Sequence, residues 1–224
     1  MLKNYCLKVA NLKTLVYSIT VLFLFASCEE APVEPTPQYQ LFRNQNLTYE
    51  YYYAFEDWEQ SSLDELQLQL VEGLNLDNNF YYGFSNSGNH TPSFDLSNND
   101  DILDFNFLPI RYENGNYFEL RSEGELIILK DNMNLGDNWE HIIEIGEDTL
   151  TYTFEVVQVY DTYNANSYQY DNVFQVNETV ESTSTGYDVS VSMHFYNKDF
   201  GIIRREIPQY VSGTYGPIVF NLKN

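Results

Sequence analysis

Leu150-Thr151-Tyr152-Thr153-Phe154-Glu155-Val156 is the stretch whose reading decides the fold class. Leu150, Tyr152, Phe154 and Val156 fall on one face and Thr151, Thr153 and Glu155 on the other, a period of two that an extended strand satisfies and a helix does not. The same period recurs outward from it. Val173–Asn177 is a short strand, and Val189, Val191, Met193 and Phe195 alternate with Ser190, Ser192, His194 and Tyr196. That spacing puts His194 on the polar, solvent-facing side, as a surface imidazole. Ile218–Leu222 is the last strand. Toward the N-terminus, Tyr49, Tyr51, Tyr53 and Phe55 share a face, as do Leu66, Leu68 and Leu70, then Phe80, Tyr82 and Phe84, then Leu103, Phe105 and Phe107. Ser62-Leu63-Asp64-Glu65 is also compatible with a helix cap. Tyr117–Arg121 and Glu125–Lys130 read as a hairpin around Ser122-Glu123-Gly124. Clusters of Asn, Asp, Ser and Gly separate the runs, giving roughly ten strands and no long amphipathic helix. The expectation from this periodicity is an all-β, antiparallel domain.

The first residues have a different grammar. Lys3, Lys8 and Lys13 precede an uncharged run, Leu15–Ala26, that is too short for a bilayer core needing about 20 helical residues. The run ends in Phe25-Ala26-Ser27-Cys28, which resembles the lipobox of bacterial lipoproteins, with Phe25 where leucine is commoner. The resemblance implies acylation of Cys28 and cleavage before it. An ordinary signal peptide or an uncleaved anchor is the alternative. Residues 28–38 carry Glu29-Glu30 and three prolines, a semi-rigid tether of about 3.1 Å per residue. The expected organisation is a signal over 1–27, a tether over 28–38 and one β-rich domain over 39–224. Acidic residues just after a lipid cysteine resemble surface-export signals of Bacteroidota lipoproteins. The expected location is therefore the cell envelope, most simply the outer membrane, with its periplasmic and surface faces both open.

Removing the first 27 residues from the 224 leaves 197, enough for one substantial core. It also removes three lysines and no acids, taking the net charge from −22 to −25. Such a chain repels nucleic acid and anionic headgroups. A soluble, non-adhesive surface explains the acidity, and a calcium-attracting surface is the alternative. Cys6 leaves with the signal and Cys28 is consumed by lipid, so no thiol remains for a disulfide, zinc site or nucleophile. Twenty tyrosines and fifteen phenylalanines supply the packing instead.

Two segments carry a family resemblance. Asn134-Leu135-Gly136-Asp137-Asn138-Trp139-Glu140 and the segment from Phe195 through Gly201 to Arg204-Arg205-Glu206 are similar to motifs of exported Bacteroidota lipoproteins of unknown function. Arg43–Tyr51 resembles the family's opening motif more loosely, with Gln45 and Leu47 in place of its glycine and tryptophan. The resemblance implies a single antiparallel, strongly curved sheet, as a half-barrel or a sandwich similar to lipoprotein-carrier folds, and assigns no catalytic residue. Gly136 and Gly201 read as chain reversals or positive-φ positions and Trp139 as a core anchor, with ligand contact as the alternative.

The remaining residues give little chemistry. His90, His141 and His194 lack a metal-ligand spacing. Gly83-Phe84-Ser85-Asn86-Ser87 approaches a nucleophile elbow but lacks its second glycine. Oxygen donors at Asp95, Ser97, Asn99 and Asp101 echo a calcium loop, although Asp100 and Asn106 replace its glycine and glutamate, so a solvated loop is the competing reading. Asp148-Thr149-Leu150 resembles an O-glycosylation sequon of Bacteroidota exported proteins. No cofactor is expected. The sequence therefore points to an anchored, non-catalytic binding or structural module. Its expected partners are a membrane through the Cys28 lipid and a glycan, lipid or protein ligand. A carrier with an apolar β cavity and a glycan-active hydrolase using carboxylates are the alternatives.

Overall fold

A computed structural model describes residues 36–41, 46–54, 64–76, 79–86, 108–184, 189–211 and 214–223. The strands are β1 (Asn46–Tyr53), β2 (Asp64–Leu76), β3 (Asn79–Asn86), β4 (Ile110–Glu113), β5 (Asn116–Arg121), β6 (Gly124–Lys130), β7 (Asn138–Ile145), β8 (Asp148–Ala165), β9 (Tyr168–Ser182), β10 (Ser190–Asn197), β11 (Gly201–Val211) and β12 (Thr214–Lys223). They form one sheet in the order β6-β5-β4-β3-β2-β1-β12-β11-β10-β9-β8-β7, all neighbours antiparallel. The all-β, antiparallel expectation holds, with twelve described strands. Asp64 and Glu65 open β2, so the helix reading fails there.

Curvature comes from irregular registers at Glu72/Leu74, Tyr117/Phe118, Val156/Gln158 and Phe195/Tyr196, where an extra residue bends the strand. The roll brings β4–β6 over β7–β10, and Ile110, Leu126, Ile128 and Leu129 pack with Trp139, Tyr152, Phe154 and Val176. A second cluster gathers Tyr49, Leu66, Leu68, Phe195, Ile218 and Phe220. The sheet is not closed into a barrel. β6 and β7, at opposite ends of the strand order, meet through side chains: Trp139 Nε1 donates to the Ile127 carbonyl at 2.6 Å, and the Ile127 N–H donates to His141 Nε2 at 3.0 Å.

Two alternations run in the opposite phase to the sequence reading. In β3, Tyr81 is buried and Phe80 is half exposed. In β10, Ser192, His194 and Tyr196 face inward while Val189 and Val191 are exposed, so the surface placement of His194 is corrected. An alternating pattern fixes the period but not which side is covered, and here the covered side is polar. Leu103, Phe105, Phe107 and Phe55 lie outside the described residues.

The described segment 36–41 packs against the strands. Tyr39 and Leu41 are buried, and the Tyr39 N–H donates to the Tyr117 hydroxyl at 2.7 Å. Gln38 Nε2 donates to Asn132 Oδ1 at 2.7 Å, Lys198 Nζ donates to Gln38 Oε1 at 3.0 Å, and the Gln40 N–H donates to the Lys198 carbonyl at 2.9 Å. Gly201, at φ +73°, makes this packing possible, because a Cβ there would stand 3.0 Å from Leu41 Cδ2 and 3.2 Å from its Cα. Gly201→Ala therefore incurs about 1–2 kcal/mol for a left-handed backbone as well as displacement of Leu41. Urea unfolding should show that loss, with part recovered in a Gly201→Ala, Leu41→Ala double variant if the Leu41 contact contributes.

Candidate functional site: a buried ion cluster inside the curl

Among the described residues, the largest concentration of buried ionisable chemistry lies between β5 and the β9–β11 sheet. Glu119 and Arg121, two residues apart on β5, share a face because strand side chains alternate. Across the interior stand Glu178 on β9, His194 on β10 and Arg205 on β11, with Arg205 opposite His194 in register. Arg121 Nη2 donates to Glu178 Oε2 at 2.8 Å, and Arg121 Nε donates to Glu119 Oε1 at 3.0 Å. Arg205 Nη2 donates to Glu119 Oε2 at 2.8 Å, and His194 Nε2 lies 3.1 Å from Glu178 Oε2. The side chains of Glu119, Glu178, His194 and Arg205 are each at most 5% exposed, and Arg121, at 14%, is the member nearest the surface.

Two guanidinium ions balance two carboxylates, and that balance is what makes burial tolerable. Burial pushes both carboxyls toward the neutral form, but the facing arginines overcome it and hold Glu119 and Glu178 below the usual carboxylate range. His194 goes the other way: burial, reinforced by Arg205, lowers its pKa against the pull of Glu178, so its ring is neutral near pH 7. As a neutral ring beside a carboxylate, it donates Nε2–H to Glu178. Burial likewise raises the Tyr196 and Tyr49 hydroxyls. Carboxylates held ionised by arginine are poor general acids, and here they are also committed to fixed donors.

The residues singled out in the sequence lie elsewhere. Gly136, at φ +87°, shapes the β6–β7 connection, where its N–H donates to the Val156 carbonyl at 2.8 Å. Trp139 is 8% exposed and stacks on Phe154 with centroids 5.6 Å apart, and Lys130 Nζ sits 4.9 Å from its ring centre. Gly201 faces Gln40 and Leu41. Ser85 lies within β3 rather than on a strand-to-helix turn. Thr149 is half buried in β8, its N–H donating to Thr183 Oγ1 at 2.9 Å. Cys28 and the loop donors Asp95, Ser97, Asn99 and Asp101 lie outside the described residues. Among the described residues no group of three or more His, Cys, Asp or Glu could hold a metal ion, and no helix is long and apolar enough to cross a membrane.

The cluster itself was missed. Its one trace in the sequence is Arg204-Arg205-Glu206, three adjacent charges inside a strand, which place a charge on each face. Arg205 points inward, while Arg204 pairs with Glu206 at 2.6 Å.

No family model matches the chain, and no curated protein matches it. Among solved structures it is similar to a "putative lipoprotein" from Parabacteroides distasonis, at 12% identity and a TM-score of 0.39, over 83% of this chain and 95% of that one. It is also similar to the hypothetical lipoprotein YmcC from Escherichia coli, at 12% identity and a TM-score of 0.33, over 80% of this chain and 84% of that one.

Proposed function

We propose that the chain is an exported lipoprotein of the cell envelope whose β-domain is a non-catalytic binding or structural module held at a membrane by lipid on Cys28. The sequence supports the anchor through the basic start, the short apolar run and Phe25-Ala26-Ser27-Cys28.

The observation that carries the non-catalytic reading is the commitment of the cluster's carboxylate oxygens to fixed donors. The best-placed carboxylates, Glu119 and Glu178, already spend their oxygens on Arg121, Arg205 and His194. That leaves neither of them free for the acid role a glycan hydrolase requires. The same five side chains make the interior between β5 and β9–β11 charged, which disfavours an apolar cargo there.

Cys28→Ala tests the anchor. Cells fed an alkyne fatty acid should label the wild-type chain and leave Cys28→Ala unlabelled and released from the membrane fraction. Wild-type protein without label would refute the anchor.

A further inference from the structure

The β6–β7 seam has a construction different from every other strand boundary in the sheet. β6 and β7 lie at opposite ends of the strand order and share no ladder, yet Ile127 of β6 has both backbone groups met by β7 side chains. Trp139 supplies a donor for the Ile127 carbonyl, and His141 supplies the acceptor for the Ile127 N–H. An indole N–H donates at any ordinary pH. An imidazole nitrogen accepts only while unprotonated, because the imidazolium ion has two donors and no acceptor. The 3.0 Å contact from the Ile127 N–H to Nε2 therefore fixes the tautomer, with the ring proton on Nδ1.

We propose that His141 is an acid-operated latch on this seam: proton uptake from solvent at Nε2 breaks the bond to the Ile127 N–H and releases one of the two Ile127 backbone contacts that join β6 to β7. The ring is half buried, in reach of solvent protons, and is unlike His194, which is sealed inside. It stands edge-on to Phe154 with centroids 6.2 Å apart and opposite Tyr152 in register. The charged groups that act on it are Lys130 of β6 and Arg121 of β5, both cationic, while the Glu123 carboxylate is engaged by the Tyr152 hydroxyl. Burial first and Lys130 second hold the imidazole below its ordinary value of 6.5, so the latch is shut at neutral pH and releases under moderate acid. Protonation puts two donors face to face and adds a third cation beside Lys130 and Arg121. Trp139 retains its bond to the Ile127 carbonyl, so the seam loosens at one backbone group while the core packing persists.

Amide hydrogen exchange on the full chain in detergent reads the latch directly. The Ile127 amide is compared with Val176 of β9, a strand that does not form the seam, so that global opening cancels. Between about pH 7.5 and about pH 5, intrinsic rates corrected, the Ile127 protection factor should fall at least about tenfold relative to Val176, the size of one lost hydrogen bond. Its midpoint should match the His141 ring titration seen by NMR. In His141→Phe, Ile127 protection should be low at both pH values. In His141→Gln, whose amide oxygen accepts without titrating, it should be retained at both. A constant Ile127-to-Val176 ratio in the wild type overturns the proposal. So does a midpoint displaced from the His141 titration, or a wild-type-like pH dependence in either variant.

Discussion

Replacing Glu178 with alanine should remove about 3–5 kcal/mol of stability, the usual penalty for breaking one side of a buried ion pair. The size follows from the charge left behind. Arg121 and Arg205 would then share the single carboxylate of Glu119 in a largely buried space, with one uncompensated cation. The His194 ring would also lose the acceptor 3.1 Å from its Nε2. A loss of this size is a large part of a domain stability of about 5–15 kcal/mol, so urea unfolding will show it plainly. A loss below about 1 kcal/mol would mean that the cluster is hydrated and weak. Removing the whole cluster for apolar side chains of matched volume is a different experiment. Because desolvation offsets much of the Coulomb gain, that change should be far milder than breaking the pair.

The same cluster sets the response to acid. Glu119 and Glu178 titrate below their ordinary value of 4.5 in the fold. As pH falls through that value the unfolded chain takes up protons and the folded chain does not, so stability present at neutral pH is lost. His194 adds to this in the same direction, since a lowered pKa means the unfolded chain protonates first, below about pH 6.5. Denaturation midpoints measured from neutral pH to pH 3 should therefore decline in the wild type, and decline less steeply in Glu178→Ala.

The second large effect is expected at Trp139. Trp139→Ala should destabilise by about 3–5 kcal/mol through cavity formation alone, since the indole is 8% exposed and stacked on Phe154. It also strips the Ile127 carbonyl of its donor and Lys130 of its aromatic partner, at the one place where the sheet edges meet. Trp139→Phe separates these contributions. It keeps most of the packing, loses the N–H, and should cost distinctly less than alanine while still loosening the seam. A near-zero change for both variants would move Trp139 from the core to a surface role.

Much of this fold is written in period-two alternation, and its failures have specific causes. β8 is legible from Leu150 to Val156 because Tyr152, Phe154 and Val156 face a covered interior and Thr151 and Glu155 do not. β7 is obscured by Ile142 and Ile143 standing side by side, one 63% exposed and the other packed on the core. β4 is only four residues long, too short for a pattern to rise above its neighbours. β10 deceives more deeply. Phe195 and Tyr196 are both buried, one on each face, so neither side of the strand is the simple apolar one. The ion cluster depends on β5 lying across β9–β11, a long-range placement that local spacing does not encode. Gly201 announced a backbone requirement, but its contact with Leu41 emerges only once the segment 36–41 is folded against the strands.

Native mass spectrometry of the protein extracted from its own membrane tests the central account most directly. An anchored module with a charged interior should give a chain that begins at Cys28 and carries covalent acyl mass, with no further apolar molecule in stoichiometric amount. An unprocessed 26.2 kDa chain, a cleaved chain without lipid, or a chain holding an additional non-covalent lipid would contradict it.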